Sequence, residues 1–157
     1  MSRPMIRAAL AVAVADQASK LLVVHLLDLK TRGHIQVFPP YLNFRMAWNQ
    51  GMNFGLFSSD ASASRWILIA IAVAISAWVA VWISREKPGK AGQISAGLLI
   101  GGALGNVIDR LVYGAVADFL NMSCCGFDNP FAFNIADISI FLGAIGLMFF
   151  TGKKKTG

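Results

Sequence analysis

Trp66 to Ile83 reads WILIAIAVAISAWVAVWI, an unbroken apolar run in which Ser76 is the only polar side chain. As a helix, about 18 such residues are long enough to cross a hydrocarbon core about 30 Å thick. Lipid tails offer no hydrogen bonds, so a segment placed there must satisfy its backbone internally, as a helix does. The rest of the composition agrees. Of 157 residues, 56% are hydrophobic and 14% charged, against about 45–50% and about 25% in soluble domains. The chain reads as one integral membrane domain over residues 1–157, all-α with four transmembrane helices at about 4–27, 66–84, 92–111 and 135–151.

The charges order those spans. The net charge of +6 could suit nucleic acid, but the cations sit at alternate crossings. Arg3 and Arg7 precede the first span, Arg85, Lys87 and Lys90 join the second to the third, and Lys153, Lys154 and Lys155 follow the fourth. The positive-inside rule then expects both termini and the 84–90 loop in the cytoplasm, and basic flanks of a membrane span need no nucleic-acid partner. Arg7, a short apolar stretch and Ala13-Val14-Ala15 imitate a secretory signal with its cleavage site. Cleavage there would leave Leu21–Leu27, too short to span, so an uncleaved first helix is expected.

Between spans one and two, residues 28–65 form an extracytoplasmic cap. Leu42, Phe44, Met46 and Trp48 alternate with Asn43, Arg45, Ala47 and Asn49, the period of two that predicts a strand. Pro39-Pro40 separates it from the Ile35–Phe38 run, so a small β-sheet, or cradle, is expected. Asn49, Gly51 and Gly55 follow, then Phe54, Leu56 and Phe57 suit a short amphipathic segment at the interface. In span three, Gly97, Gly101 and Gly105 repeat the small-xxx-small spacing that lets helices approach closely in lipid.

Ionisable groups at membrane depth are costly and mark candidate sites. Asp16 and Lys20 are four apart in the first span, placed to pair on one helix face. Asn106, Asp109 and Arg110 crowd the outer end of span three. Asp118 follows that end in Val116-Ala117-Asp118-Phe119, and Asp137 opens span four in Phe133-Asn134-Ile135-Ala136-Asp137. Span three runs outward and span four inward, so the two aspartates meet near one face. Two carboxylates in contact share a proton, leaving one as base and its partner as acid. The residues alone leave three readings open: hydrolysis, a proton or ion pathway, and ion pairs to Arg110 and Lys20 that merely hold the bundle.

His25 and His34 are too isolated for a zinc site, no His-Glu-x-x-His occurs, and no metal or cofactor is expected. Cys124 and Cys125 lack metal-site spacing and are assigned no catalytic part. There is no Gly-x-Ser-x-Gly to suggest a serine nucleophile. A transport pathway should carry polar groups through the inner half of the bundle, and spans two and four have none at that depth.

Five motifs occur in order: Asp16-Gln17-x-Ser19-Lys20; Asn49-x-Gly51-x-x-Phe54-Gly55; Gly101-Gly102-Ala103-x-Gly105-Asn106-x-x-Asp109-Arg110; Val116-x-Asp118-Phe119; and Phe133-Asn134-x-Ala136-Asp137. Together they resemble bacterial lipoprotein signal peptidase, signal peptidase II, from residue 16 to about 146. The resemblance implies an aspartic endopeptidase of the bacterial inner membrane, its site near the periplasmic face; a monomer is expected, though the residues do not fix the oligomeric state. It would cut prolipoproteins just before a diacylglyceryl-modified cysteine, with membrane lipid as the other partner. Asp118 and Asp137 would be its catalytic dyad. Asn106, Arg110 and Asn134 would orient the scissile peptide and the dyad, Asp16 and Lys20 with Asp109 would support the site, and Asn49 and Gly51 would cover the substrate. Asn53 departs from the family pattern, which usually has Ala or Ser there. Substrate repertoire, the state of the cysteines and the aspartate that carries the shared proton are not legible from the residues.

Overall fold

A computed structural model describes residues 1–51, 61–124, 126 and 128–151. Arg3–Lys20 forms α1, continued by a π-helical stretch over Leu21–Leu26. A short helix α2 (Leu29–Arg32) leads into β1 (His34–Phe38) and β2 (Leu42–Asn49). Then come α3 (Ala61–Glu86), α4 (Lys90–Tyr113), β3 (Val116–Met122) and α5 (Ile135–Phe150). The amphipathic segment expected near Phe54–Phe57, the departure at Asn53 and the lysine tail all lie outside the described residues. Cys124 is disulfide-bonded.

The helices are packed for lipid. Large apolar side chains such as Leu10, Val14, Ile71, Trp78, Phe141 and Met148 face outward, while small residues fill the seams. A Cβ on Gly97 or Gly101 would strike the backbone of Met5 or Ala9 on α1, and one on Gly102 would strike the backbone of Ala136 on α5. With no hydrophobic drive between helices in a bilayer, this close approach supplies the packing attraction. The helix α4 is therefore the hub, wedged between α1 and α5, with α3 resting chiefly on α4.

Three segments, Arg3–Leu26, Ala63–Glu86 and Lys90–Tyr113, are 24 residues each and long and apolar enough to cross a membrane. The last helix is shorter, at 16 residues, a rise of about 24 Å. Its head abuts α4 at Gly102 and Gly105, eight residues before α4 ends at Tyr113. The start of α5 thus lies about 12 Å below the end of α4, in a recess of the bundle.

The sheet caps that recess. Its order is β1-β2-β3, antiparallel throughout, with register shifts between Gln36 and Phe38 and between Phe44 and Ala47. The expected strand over 42–49 and its partner at 35–38 are present. The third strand, β3, was not expected. Its first four residues, Val116 to Phe119, are all buried, so the alternation that reveals a half-exposed strand is missing. Phe119 packs edge-on against Phe44, with ring centres 5.7 Å apart, and with Val23, Val24 and Leu29 fixes the sheet to the top of α1.

Candidate active site

Two polar clusters occupy the recess, one behind the other. The deeper one is built on α1 and α4. Lys20 Nζ lies 2.7 Å from Asp16 Oδ2 and 2.7 Å from Asp109 Oδ2. Gln17 Nε2 donates to Asp109 Oδ1 at 2.9 Å and to Asp16 Oδ2 at 3.1 Å. Asp16 and Asp109 have no exposed surface and Lys20 only 4%. Two buried carboxylates with one ammonium leave an excess negative charge, which costs heavily unless hydrogen bonds absorb it. Backbone amides do so. Ala136 N–H donates to Asp16 Oδ1 and Ala117 N–H to Asp109 Oδ2, each at 3.0 Å.

Those two amides belong to the residues immediately before Asp137 and Asp118. The buried ion cluster thereby fixes the backbone that carries each candidate carboxylate. Gly105 makes room for it, since a Cβ there would come within 2.6 Å of Asp16 Oδ2.

The nearer cluster joins the two aspartates. Asn134 Nδ2 donates to Asp118 Oδ1 at 2.6 Å and, more weakly, to Asn106 Oδ1 at 3.3 Å. Asn106 Nδ2 in turn donates to Asp137 Oδ1 at 2.9 Å. Asn134 is also the N-cap of α5: its Oδ1 accepts from Asp137 N–H at 2.9 Å, and Asp137 Oδ2 reaches back to the Asn134 N–H at 3.4 Å. This is a capping box, with the candidate carboxylate itself serving as its acidic member.

From the sheet side, Asn49 Nδ2 donates to Asp118 Oδ2 at 3.0 Å. Asn49 is held for this by Gly51, whose N–H donates to Asn49 Oδ1 at 2.9 Å. Gly51 has φ +96, a conformation that favours glycine, and a Cβ there would also press on the end of the Leu68 side chain. Asn49, expected on the outer cap, thus bonds the aspartate directly from it.

Asp118, on β3, is 3% exposed. Burial, followed by the nearby charge of Asp137, pushes its pKa up to about 6, against the lowering pull of the Asn49 and Asn134 hydrogen bonds and of Lys20. A carboxyl so placed holds a proton far better than one in water.

Arg110 departs from one expectation. Asp109 turns away from it to Lys20, and among the described residues Arg110 forms no ion pair. Its guanidinium donates to Asn106 O at 3.3 Å, leaving most of its donors uncommitted beside the aspartates. His25 bonds Tyr113, Nε2 to hydroxyl at 3.1 Å, and Tyr113 leans on Trp48. Among the described residues, no buried charge lies in the half of the bundle away from the sheet.

Gln17 was read from the sequence only as a polar residue of the first span. Its place in the sequence beside Asp16 gave no sign that it would bridge to Asp109, because that contact joins α1 to α4.

These features define a polytopic membrane protein whose polar chemistry is confined to one recess beneath a small sheet. Comparison with known proteins narrows this. Residues 8–152 match the family model described as signal peptidase (SPase) II. A lipoprotein signal peptidase of Nitrobacter hamburgensis is 39% identical over 145 residues, covering 90% of this chain and 87% of that protein. One from Rhodopseudomonas palustris is 41% identical over 140 residues, covering 87% and 84%. A solved bacterial membrane enzyme, determined by the in meso method at 1.9 Å resolution, superposes with a TM-score of 0.78 at 29% identity, covering 92% of this chain and 90% of that one. The chain belongs to the signal peptidase II family, proteases that remove signal peptides from lipoprotein precursors.

Proposed function

We propose that this protein hydrolyses the peptide bond preceding the diacylglyceryl-modified cysteine of prolipoproteins, with Asp118 and Asp137 as its catalytic dyad. The observation that carries the reading is the chain Asp118–Asn134–Asn106–Asp137, which holds two carboxyls together in a recess of the bundle. The pair shares one proton. In the resting enzyme we assign it to Asp118, whose proton affinity is raised; titration then belongs to the pair as a unit.

The chemistry follows. Ionised Asp137 takes a proton from a water as its oxygen attacks the scissile carbonyl carbon. Protonated Asp118 hydrogen-bonds the carbonyl oxygen and transfers its proton as the tetrahedral diol forms. Asp137 then gives its proton to the amide nitrogen as the C–N bond breaks, and Asp118 takes a hydroxyl proton back from the collapsing diol, which restores the shared proton. A carboxyl end on the signal peptide and a free amine on the cysteine result. Arg110, with its open donors, steadies the peptide carbonyls and the developing negative oxygen. Asn106, Asn134 and Asn49 hold the carboxyls in register, and Asp16, Lys20 and Asp109 hold the backbone behind them.

The recess lies within about 12 Å of the end of α4, so a substrate whose acyl chains stay in the bilayer reaches it without extraction. We place the sheet on the periplasmic side of the inner membrane, with both termini cytoplasmic, and expect the monomer to suffice. A transport role is disfavoured by the buried charges' confinement to one end. The test is cleavage of a diacylglyceryl-modified precursor by the purified protein in detergent, beside its Asp118→Asn variant and an unlipidated precursor. Cleavage needing both lipid and Asp118 is expected. A folded protein that cleaves neither substrate would defeat the proposal.

A further inference from the structure

Arg65 immediately precedes the apolar run of α3 and is partly buried. A cation near the start of a helix gains nothing from that helix's own dipole, whose N-terminal end is positive. Arg65 serves a second helix instead. Its Nη2 donates to Leu111 O at 2.9 Å. Leu111 lies in the last turn of α4, among the carbonyls that a helix leaves unpaired at its C-terminus. Gly114, at φ +82, ends α4 and donates its N–H to Arg110 O at 3.1 Å; Arg65 supplies the next carbonyl. A cation there also meets the negative pole of the α4 dipole.

The orientation of α3 depends on this bond. The helix rests chiefly on α4, and the seam between them is apolar apart from Ser76, whose Oγ is buried with no partner. Among the described residues, Arg65 to Leu111 is the only hydrogen bond that joins α3 to α4. In lipid such a polar tie fixes a register that apolar packing alone leaves free to slide. It is also held at a cost, since Arg65 Nε is buried with no partner. The Trp66 ring, 5.3 Å from the guanidinium carbon, offsets part of that.

Three residues on, and so on the same side of the helix, Leu68 lies against Gly51, where an added Cβ would press on its Cδ1. The Gly51 N–H holds Asn49 Oδ1 at 2.9 Å, and Asn49 Nδ2 holds Asp118 Oδ2 at 3.0 Å. A continuous series of contacts therefore runs from the end of α4 through α3 to Asp118.

We propose that Arg65 is a positioning residue for the reaction: its clasp on Leu111 O sets α3 so that Leu68 bears on Gly51 and keeps Asn49 on Asp118. This role rests on the dyad proposed above. Arg65 touches neither carboxyl, and it is not among the charges that act on Asp118, which are Asp137 on α5, Lys20 on α1 and Arg110 on α4.

The test compares purified Arg65→Met, Leu68→Ala and Asn49→Ala with wild type, each cleaving a diacylglyceryl-modified precursor in detergent from pH 5 to 9. Arg65→Met should lower kcat about threefold with KM unchanged, part of the effect of losing one hydrogen bond to a neutral carboxyl. Because the Asn49 bond lowers the Asp118 pKa, Arg65→Met and Leu68→Ala should both move the alkaline limb of the rate profile to higher pH. Leu68→Ala changes no charge, so its shift reports geometry alone. In an Asn49→Ala background, Arg65→Met should add nothing to the loss in kcat or to the shift. A lower melting temperature with the limb unmoved, a penalty that persists in full beside Asn49→Ala, or a rise in KM alone would overturn the assignment. Should Arg65→Met fail to fold, Leu68→Ala still decides, because a wild-type rate and limb in that variant would break the series of contacts. Asp118→Asn, assayed alongside, keeps the two readings apart. Its activity would defeat the dyad, whereas its inactivity with an unmoved limb in Arg65→Met would defeat only the role of Arg65.

Discussion

Asp16 Oδ1 accepts a 3.0 Å hydrogen bond from the backbone N–H of Ala136, so a carboxylate on the first helix fixes the residue next to Asp137 on the last. Asp109 does the same for Ala117, next to Asp118. Lys20 neutralises part of both. Removing it by Lys20→Met would strand two fully buried carboxylates, a loss of about 3–5 kcal/mol. The variant should unfold at a clearly lower temperature in detergent. Unchanged melting and turnover would show the ion cluster to be incidental.

Asp118→Asn and Asp137→Asn should each abolish turnover, because an amide keeps the shape but cannot shuttle a proton. Both should remain folded by circular dichroism and size-exclusion chromatography. Activity of a tenth of wild type in either folded variant would contradict the dyad.

Stability should respond to pH through Asp118. Its folded pKa, about 6, lies above the ordinary carboxylate value of 3.8. Between those values the native state binds more protons than the unfolded state, so this group's contribution to stability falls as pH rises from about 4 to about 6. Asp118→Asn lacks that dependence. The melting temperature of the variant, minus that of wild type, should therefore increase from pH 4 to pH 7; a flat difference would refute the raised affinity.

The same value shapes the rate profile. kcat/KM should decline on the alkaline side with a midpoint near 6, as the shared proton is lost. The Asn49 hydrogen bond lowers the Asp118 pKa, so Asn49→Ala should move this limb to higher pH. It should also reduce the rate by up to about tenfold, the scale of one hydrogen bond to a neutral carboxyl. Stopped assays across pH 5 to 9 would expose a limb that stays in place.

Gly51→Ala should cost activity by disturbing Asn49, and by about 1–3 kcal/mol of backbone strain at φ +96. In a double-mutant cycle on turnover, the Gly51→Ala penalty should shrink when Asn49 is already alanine. Full additivity would mean that Gly51 acts elsewhere.

Much of this was legible in the sequence because lipid imposes strong patterns. The apolar run at 66–83 declared a helix, the glycines of α4 declared its close neighbours, and the alternation at 42–49 declared a strand. What escaped was long-range or locally silent. Strand β3 is covered on both faces and so has no alternation. Asp109 and Arg110 were legible only as neighbours at the end of α4; successive residues on a helix point about 100° apart, and Asp109 faces Lys20 on α1. That Asn49 would reach Asp118 from the cap was not legible, because nothing in its neighbourhood reveals the register shift between Phe44 and Ala47 that precedes their meeting. Gly51 was legible as a member of the second motif, though its hold on Asn49 was not.

The capping box at Asn134 and Asp137 bears on the timing of biogenesis. The side chain that opens α5 is also half of the proposed dyad, so winding the helix and completing the site are one event. A ribosome-bound chain that has already delivered α1, α3 and α4 to the bilayer holds the anchors Asp16, Lys20 and Asp109 but no second carboxylate for them to position. Because chains fold from the N-terminus as they are made, the protein would stay hydrolytically silent until α5 is inserted, and competence would arrive in a single step with that helix.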